Sequence, residues 1–250
     1  MGKASNQRNQ NVYAIDQTPP KRKKFTTHDL CSFHGMSDNQ RLFIDAYYHS
    51  DEDTFALLGY PGTGKTFLAV RAGLDDVLDR DTGYERLIIV RSAVELRDTG
   101  FKPGDETEKD MVYAKPYIGL MQDITDHKHD GAFETMIENG SVVFATTSNA
   151  RGVTWDNAII VVDEVQNMNY EEIRTIYTRG GRNCRFIFCG DSGQNDLYRK
   201  KNDVSGLSDW VRVLDDMGCT SIGFYSYDDI VRSGRIKEMI KSEIKLKIID

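Results

Sequence analysis

The chain predicts an α/β fold, a mostly parallel sheet with helices on both faces. Two observations carry this. Short apolar runs of strand length alternate with segments of helical period from Ser37 onward, and such alternation implies right-handed crossovers between parallel strands. The second observation is Gly59-Tyr60-Pro61-Gly62-Thr63-Gly64-Lys65-Thr66, a glycine-rich turn standing between one such strand and one such helix.

The elements follow in order. Residues 1–30 are polar, with Pro19-Pro20 and the basic run Lys21-Arg22-Lys23-Lys24, and read as a flexible arm ahead of a single domain over residues 31–250. The basic run is either a solvated tail or a contact to nucleic acid. Ser37 is placed to cap a helix carrying Leu42, Phe43, Ile44, Ala46 and Tyr47. Phe55–Leu58 is a strand, and Phe67–Ala72 begins a helix. Leu87–Val90 is a strand suited to cover on both faces. A glycine- and charge-rich segment runs from Val94 to Met111. Met111–Ile124 has helical period apart from Pro116, where a kink is expected. Phe133–Glu138 is a short helix, Ser141–Ala145 and Ala158–Val162 are strands, and Tyr170–Tyr177 is a helix. Arg185–Cys189 is a strand, Leu207–Met217 a helix, Ser221–Tyr225 the last strand and Ser233–Lys247 the last helix.

Bulk properties narrow the class. At 250 residues and 39% hydrophobic content the chain suits one large domain with a sizeable core. It has no run of apolar residues long enough to span a membrane and no apolar signal-peptide core near Met1, which together predict a soluble, cytoplasmic protein. The four cysteines show no Cys-x-x-Cys spacing and read as reduced thiols. A formal charge of −7 argues against polyanion binding by the whole surface but leaves room for a local basic channel. His127-Lys128-His129 reads as a solvated loop rather than a metal site.

The chemistry concentrates at strand ends, where parallel sheets bind their ligands. In the phosphate-loop pattern, Gly59 through Phe67 form a cup of backbone N–H groups, Lys65 reaches the outer phosphates, and the Thr66 hydroxyl ligates magnesium. Asp163 and Glu164 close the most apolar strand: the first is positioned to hold magnesium beside Thr66, the second to act as base or to orient water. Gly190-Asp191-Ser192-Gly193-Gln194 follows another strand. If that strand neighbours the Asp163 strand, Asp191 and Gln194 lie near the terminal phosphate and can sense it.

These segments, in this order, resemble the PhoH (phosphate-starvation-inducible) ATPase family, including versions carried by bacteriophages. The likeness covers roughly residues 37–245. It adds Asp38-Asn39-Gln40, Arg91-Ser92-Ala93-Val94-Glu95, Gly100-Phe101-Lys102-Pro103-Gly104-Asp105, Arg151-Gly152, Asp163-Glu164-Val165-Gln166-Asn167 and Asp229-Ile230-Val231-Arg232 to the phosphate loop. Arg91-Ser92 stands where the family commonly has Arg-Pro, and Val165 where it has alanine. The resemblance implies a RecA-like P-loop NTPase core related to superfamily 1 helicases, using ATP and Mg2+. It implies that Gln40 reads the adenine edge, though Gln40 also suits an ordinary polar position on an amphipathic helix. It implies a place for Gln166 near the nucleotide and, for Arg91, Glu95 and Arg151, either contacts to single-stranded nucleic acid (RNA favoured over DNA) or surface salt bridges.

Phe101, Tyr113 and Tyr117 serve either as stacking surfaces or as packing residues. With room for one RecA-like core, the arginine finger is expected from a neighbouring subunit, with Arg179 and Arg232 as candidates, and the assembly is expected to be a homo-oligomer, a hexameric ring. Two other classes stay open. A small-molecule kinase would need an arginine-rich lid that the sequence does not display, and a slow nucleotide switch would not need Glu164.

Overall fold

A computed structural model describes residues 25–92, 106–127, 129–148, 150, 152–191 and 205–248, with side chains left out for 106–113. Its strands are β1 (Thr54–Gly59), β2 (Arg86–Arg91), β3 (Val142–Thr146), β4 (Ala158–Val162), β5 (Cys184–Gly190) and β6 (Thr220–Phe224). The helices are α1 (Asp38–His49), α2 (Lys65–Leu78), α3 (Glu106–Ile124), α4 (Ala132–Asn139), α5 (Tyr170–Tyr177), α6 (Leu207–Met217) and α7 (Gly234–Lys245). The six strands form one sheet in the order β3-β2-β4-β5-β1-β6, and every pairing is parallel. This is the expected α/β architecture. Pro116, where a kink was expected, lies inside α3, which runs through that residue as one element.

Strand side chains alternate between two cores, as the pleat requires. Phe55, Leu57, Leu87, Ile89, Ile159, Val161 and Ile187 face the layer of α1–α4, where Phe43, Tyr47, Leu74, Met121 and Phe133 meet them. Ala56, Leu58, Ile88, Val90, Ile160, Val162 and Phe188 face the opposite layer, closed by Ile173 and Ile176 of α5 and Trp210 and Leu214 of α6. Every residue of β1 and β4 is buried. A strand covered on both faces has no need of polar alternation, so these runs read as continuous apolar sequence. No helix among the described residues is long and apolar enough to cross a membrane.

The packed chain begins earlier than the arm boundary at residue 30 implies. Phe25 and Leu30 are buried in the α1–α4 core. Arg71 of α2 is itself buried and donates from Nε and Nη2 to the Cys31 carbonyl at 3.1 and 3.0 Å. Its Nη1 meets Asp75 at 3.0 Å, and its guanidinium lies over the Phe33 ring at 5.0 Å. His129 is not merely solvated either. Its Nε2 sits 3.1 Å from Asp29 Oδ1, and its ring meets Phe25 edge-on. Burial of two apolar residues and one guanidinium fixes the segment where polar composition alone suggested an arm.

Helix α2 lies close against the sheet at Gly73. A β-carbon there would stand 2.8 Å from Leu87 Cδ1 and 2.9 Å from Ile159 Cγ2. Two effects oppose each other in Gly73→Ala: helix propensity favours alanine by about 1 kcal/mol, while overpacking against a stiff β-branched neighbour costs about 1–3 kcal/mol. The substitution is expected to destabilise the protein by about 1 kcal/mol net, read as a lower midpoint in chemical denaturation; a stabilised variant would mean that α2 can lift off the sheet freely.

Candidate functional site

The strand order sets the carboxyl ends of β4, β5 and β1 side by side, with β5 hydrogen-bonded to both neighbours. Three polar segments therefore converge: the loop after Gly59, the Asp163-Glu164 pair and Asp191. They line one cleft of about 510 Å3 together with Gln40 and Arg232.

The loop's geometry depends on its first glycine. Gly59 has φ 142°, and a β-carbon there would lie 2.3 Å from the Phe224 carbonyl oxygen. That same carbonyl accepts from Tyr60 N at 3.0 Å, tying the loop to β6. The far end is tied by Val231 N, which donates to the Gly62 carbonyl at 3.0 Å. Gly64 caps α2 in the left-handed region at φ 83°, so Lys65 and Thr66 start the helix. The N–H groups of that first turn have no acceptor one turn earlier, and with the helix dipole they favour an anion in the cleft.

Lys65 is folded onto its own loop, with Nζ donating to the Gly59 and Tyr60 carbonyls at 2.6 and 2.7 Å and standing 3.3 Å from Thr63 Oγ1. Burial lowers its pKa, and Asp191, Cys189, Glu164 and Asp163 partly offset the shift. Thr66 Oγ1 donates to Asp163 Oδ1 at 2.9 Å. Asp163 Oδ2 accepts from the Tyr117 hydroxyl at 2.6 Å, and burial followed by the Asp163 charge pushes the Tyr117 pKa well up. A hydroxyl and a carboxylate oxygen in contact are hard donors suited to magnesium. No group of three or more His, Cys, Asp or Glu side chains among the described residues could hold a metal. The Thr66 hydroxyl and the Asp163 carboxylate fit an ion that keeps most of its waters and shares phosphate oxygens with a nucleotide, as magnesium does.

Glu164 has a left-handed backbone at φ 53° and accepts from Gln166 Nε2. The other end of the same amide, Gln166 Oε1, accepts from Asp191 N at 3.0 Å. Gln166 thus links the end of β4 to the end of β5. A β-carbon at Gly190 would come within 2.5 Å of Val165 Cγ1, so the closeness of these two strand ends depends on that glycine.

The other sequence candidates divide. Gln40 lines the cleft but is buried, with Nε2 donating to the Thr63 carbonyl and Oε1 accepting from Met36 N, both at 2.8 Å. It braces the loop. Arg232 lines the same cleft of its own chain, its Cγ 2.8 Å from where a Gly62 β-carbon would stand. Arg179 lies at the amino ends of the central strands, opposite the cleft, just before β5, with its carbonyl accepting from Trp155 N at 2.8 Å. Arg91 ends β2, on the cleft side of the sheet but outside the cleft lining. Gln194, Glu95, Arg151 and Phe101 lie outside the described residues, as does the side chain of Tyr113. Tyr117 is a packing residue, not a stacking surface: it is buried against Phe144 with ring centroids 5.6 Å apart. Its bond to Asp163 spans 46 residues of sequence, and no local signal marks it.

A family model described as PhoH-like protein matches residues 32–243. The chain belongs to the PhoH-like family. A PhoH-like protein of Synechocystis is 32% identical over 207 residues, covering 81% of this chain and 60% of that protein. A PhoH-like protein of Bacillus subtilis is 31% identical over 204 residues, covering 81% and 61%. The chain thus spans about three fifths of the length of these relatives. Among solved structures, the large terminase of a thermophilic bacteriophage aligns with a TM-score of 0.47 at 14% identity, covering 82% of this chain and 49% of that one. The architecture of the PhoH-like chain is that of a P-loop ATPase, with the phosphate loop after β1 and the acidic pair after β4, on either side of β5.

Gln166→Leu removes both arms of the link between Glu164 and Asp191. Loss of an acceptor for a buried N–H costs about 1–3 kcal/mol. Thermal unfolding is expected to show a lowered midpoint, with the secondary structure unchanged by circular dichroism; an unchanged midpoint would show that the link carries no energy.

Proposed function

We propose that the chain hydrolyses ATP with magnesium and couples hydrolysis to binding, translocation on or remodelling of single-stranded nucleic acid, RNA favoured over DNA. The observation that carries the ATPase reading is the contact of Thr66 with Asp163 beside Glu164, at the mouth of a phosphate-binding loop. In this reading Lys65 leaves the Gly59 and Tyr60 carbonyls and turns to the outer phosphates, the α2 N-terminus holds the phosphate chain, and Glu164 orients the attacking water. Thr66 and Asp163 would hold magnesium, which would supply charge neutralisation at the phosphate oxygens. The Gln166 link carries a change at Glu164 to Asp191, which gives hydrolysis a route to the segment that follows β5. Arg232 serves the cleft of its own subunit.

Nucleic acid coupling rests on the family resemblance, with Arg91, Glu95 and Arg151 as the contacts. Homo-oligomerisation, as a hexameric ring, draws support from α7. Its Ile240 packs on the phosphate loop near Gly62, while Ile236 and Met239 are each 54% exposed, leaving an apolar face beside the cleft. A neighbouring copy would supply a finger from the amino ends of its strands, where Arg179 lies. A protein acting in the cytoplasm suits this chemistry.

Steady-state phosphate release with magnesium and ATP tests the reading. Lys65→Ala is expected to abolish turnover, and Glu164→Gln to lower it by about 10^2–10^4-fold while retaining bound ATP. Stimulation by single-stranded RNA supports the coupling, whereas indifference to every nucleic acid would leave the ATPase and remove the motor. Mixing Lys65→Ala with Arg232→Ala subunits decides where Arg232 acts. No recovery of activity is expected; recovery would mean that it reaches a neighbour's site. Sedimentation giving a fully active monomer would exclude the ring.

A further inference from the structure

Asp163 is the pivot of the cleft, and both of its oxygens are engaged from different directions. Thr66 Oγ1 holds Oδ1 at 2.9 Å, and the Tyr117 hydroxyl holds Oδ2 at 2.6 Å. The backbone under it is fixed as well, since Asp163 N donates to the Val90 carbonyl at 2.9 Å. What remains free in an aspartate at a strand end is the rotation of its carboxylate, which decides which oxygen faces a metal. Tyr117 removes that freedom. Its ring is 2% exposed, seated against Phe144, and its hydroxyl reaches the carboxylate from the side of α3, behind the cleft.

We propose that Tyr117 is a positioning residue for magnesium: its hydroxyl holds Asp163 Oδ2 so that Oδ1 faces the ion beside Thr66. The inference rests on the ATPase reading and deepens it. Outer partners of a metal ligand fix its orientation, and their loss costs about 10–100-fold in metal affinity. Tyr117 does not touch the nucleotide cleft, so its effect runs through Asp163 alone.

The test is Tyr117→Phe, which deletes one oxygen and keeps the ring on Phe144. Binding of Mn2+ to the ADP complex, followed by electron paramagnetic resonance, is expected to weaken by about 10-fold. ADP affinity without metal, measured by calorimetry, is expected to stay unchanged. A structural role would move both or neither. Equal Mn2+ binding in Tyr117→Phe and the parent overturns the inference, and so does an equal loss of metal-free ADP binding. Phe144→Leu gives the second handle, because it loosens the seat of the ring and keeps the hydroxyl. It is expected to lower the unfolding temperature and hold Mn2+ affinity; a fall in Mn2+ affinity as large as that expected for the hydroxyl would assign the effect to packing and overturn the inference without recourse to Tyr117→Phe. Failure of the underlying reading looks different: the parent itself would bind no ADP, with or without metal.

Discussion

Burial of the sheet on both faces is the constraint from which the rest follows. Strands β1 and β4 have no solvent-facing side, so nothing polar can sit along them without a partner. Charge is admitted only where the strands stop. The order β4-β5-β1 makes three of those stops adjacent, and the residues that follow, Glu164, Asp191 and the Gly59 loop, meet because their strands do. The same constraint explains the close seat of α2 on the sheet at Gly73, since the helix that begins at the phosphate loop must also cover an apolar face.

Within that frame the site is arranged around unequal charges. One buried ammonium, Lys65, faces Asp163, Glu164 and Asp191, yet its hydrogen bonds go to backbone carbonyls rather than to those carboxylates. Burial works against its charge more strongly than the acidic neighbours support it. The carboxylates are meanwhile held by neutral donors: Tyr117 and Thr66 on Asp163, Gln166 on Glu164. Lys65 and these carboxylates are thus held by different groups. In the proposed reaction a polyphosphate with magnesium would join them, its negative oxygens answering Lys65 and the divalent cation answering Asp163.

The sheet and the phosphate loop were legible in sequence because their signals are local. Apolar runs bounded by turns mark buried strands, and Tyr170–Tyr177 and Leu207–Met217 were read at their observed limits. Asp163 and Glu164 stood out because carboxylates directly after an apolar run have a physical reason to be there. What stayed hidden was pairwise and distant. Nothing near Tyr117 announces a hydroxyl bonded to a residue 46 positions on, and a tyrosine beside Pro116 suits a core equally well. Gln40 was recognised as a residue of the site, but whether its amide braces the loop depends on Met36 and Thr63 taking up both of its ends. Arg232 and Arg179 were both candidates for the arginine finger, and only the topology separates the carboxyl ends of the strands, where Arg232 lies, from the amino ends, where Arg179 lies. The beginning of the packed chain was misjudged because two buried residues, Phe25 and Leu30, lie in a polar stretch too short to show a period.

The clasp between Arg71 and the Cys31 carbonyl has a mechanical meaning. Arg71 lies six residues past Lys65 on one helix, a span of about 9 Å at the α-helical rise. The helix between them is a rigid strut with the phosphate loop at one end. Tension applied to the chain before Cys31 would therefore be shared between that strut, through Arg71, and α3, whose Ile124 carbonyl accepts from Cys31 N at 2.7 Å. A tether attached there would make the grip on a phosphate sensitive to force.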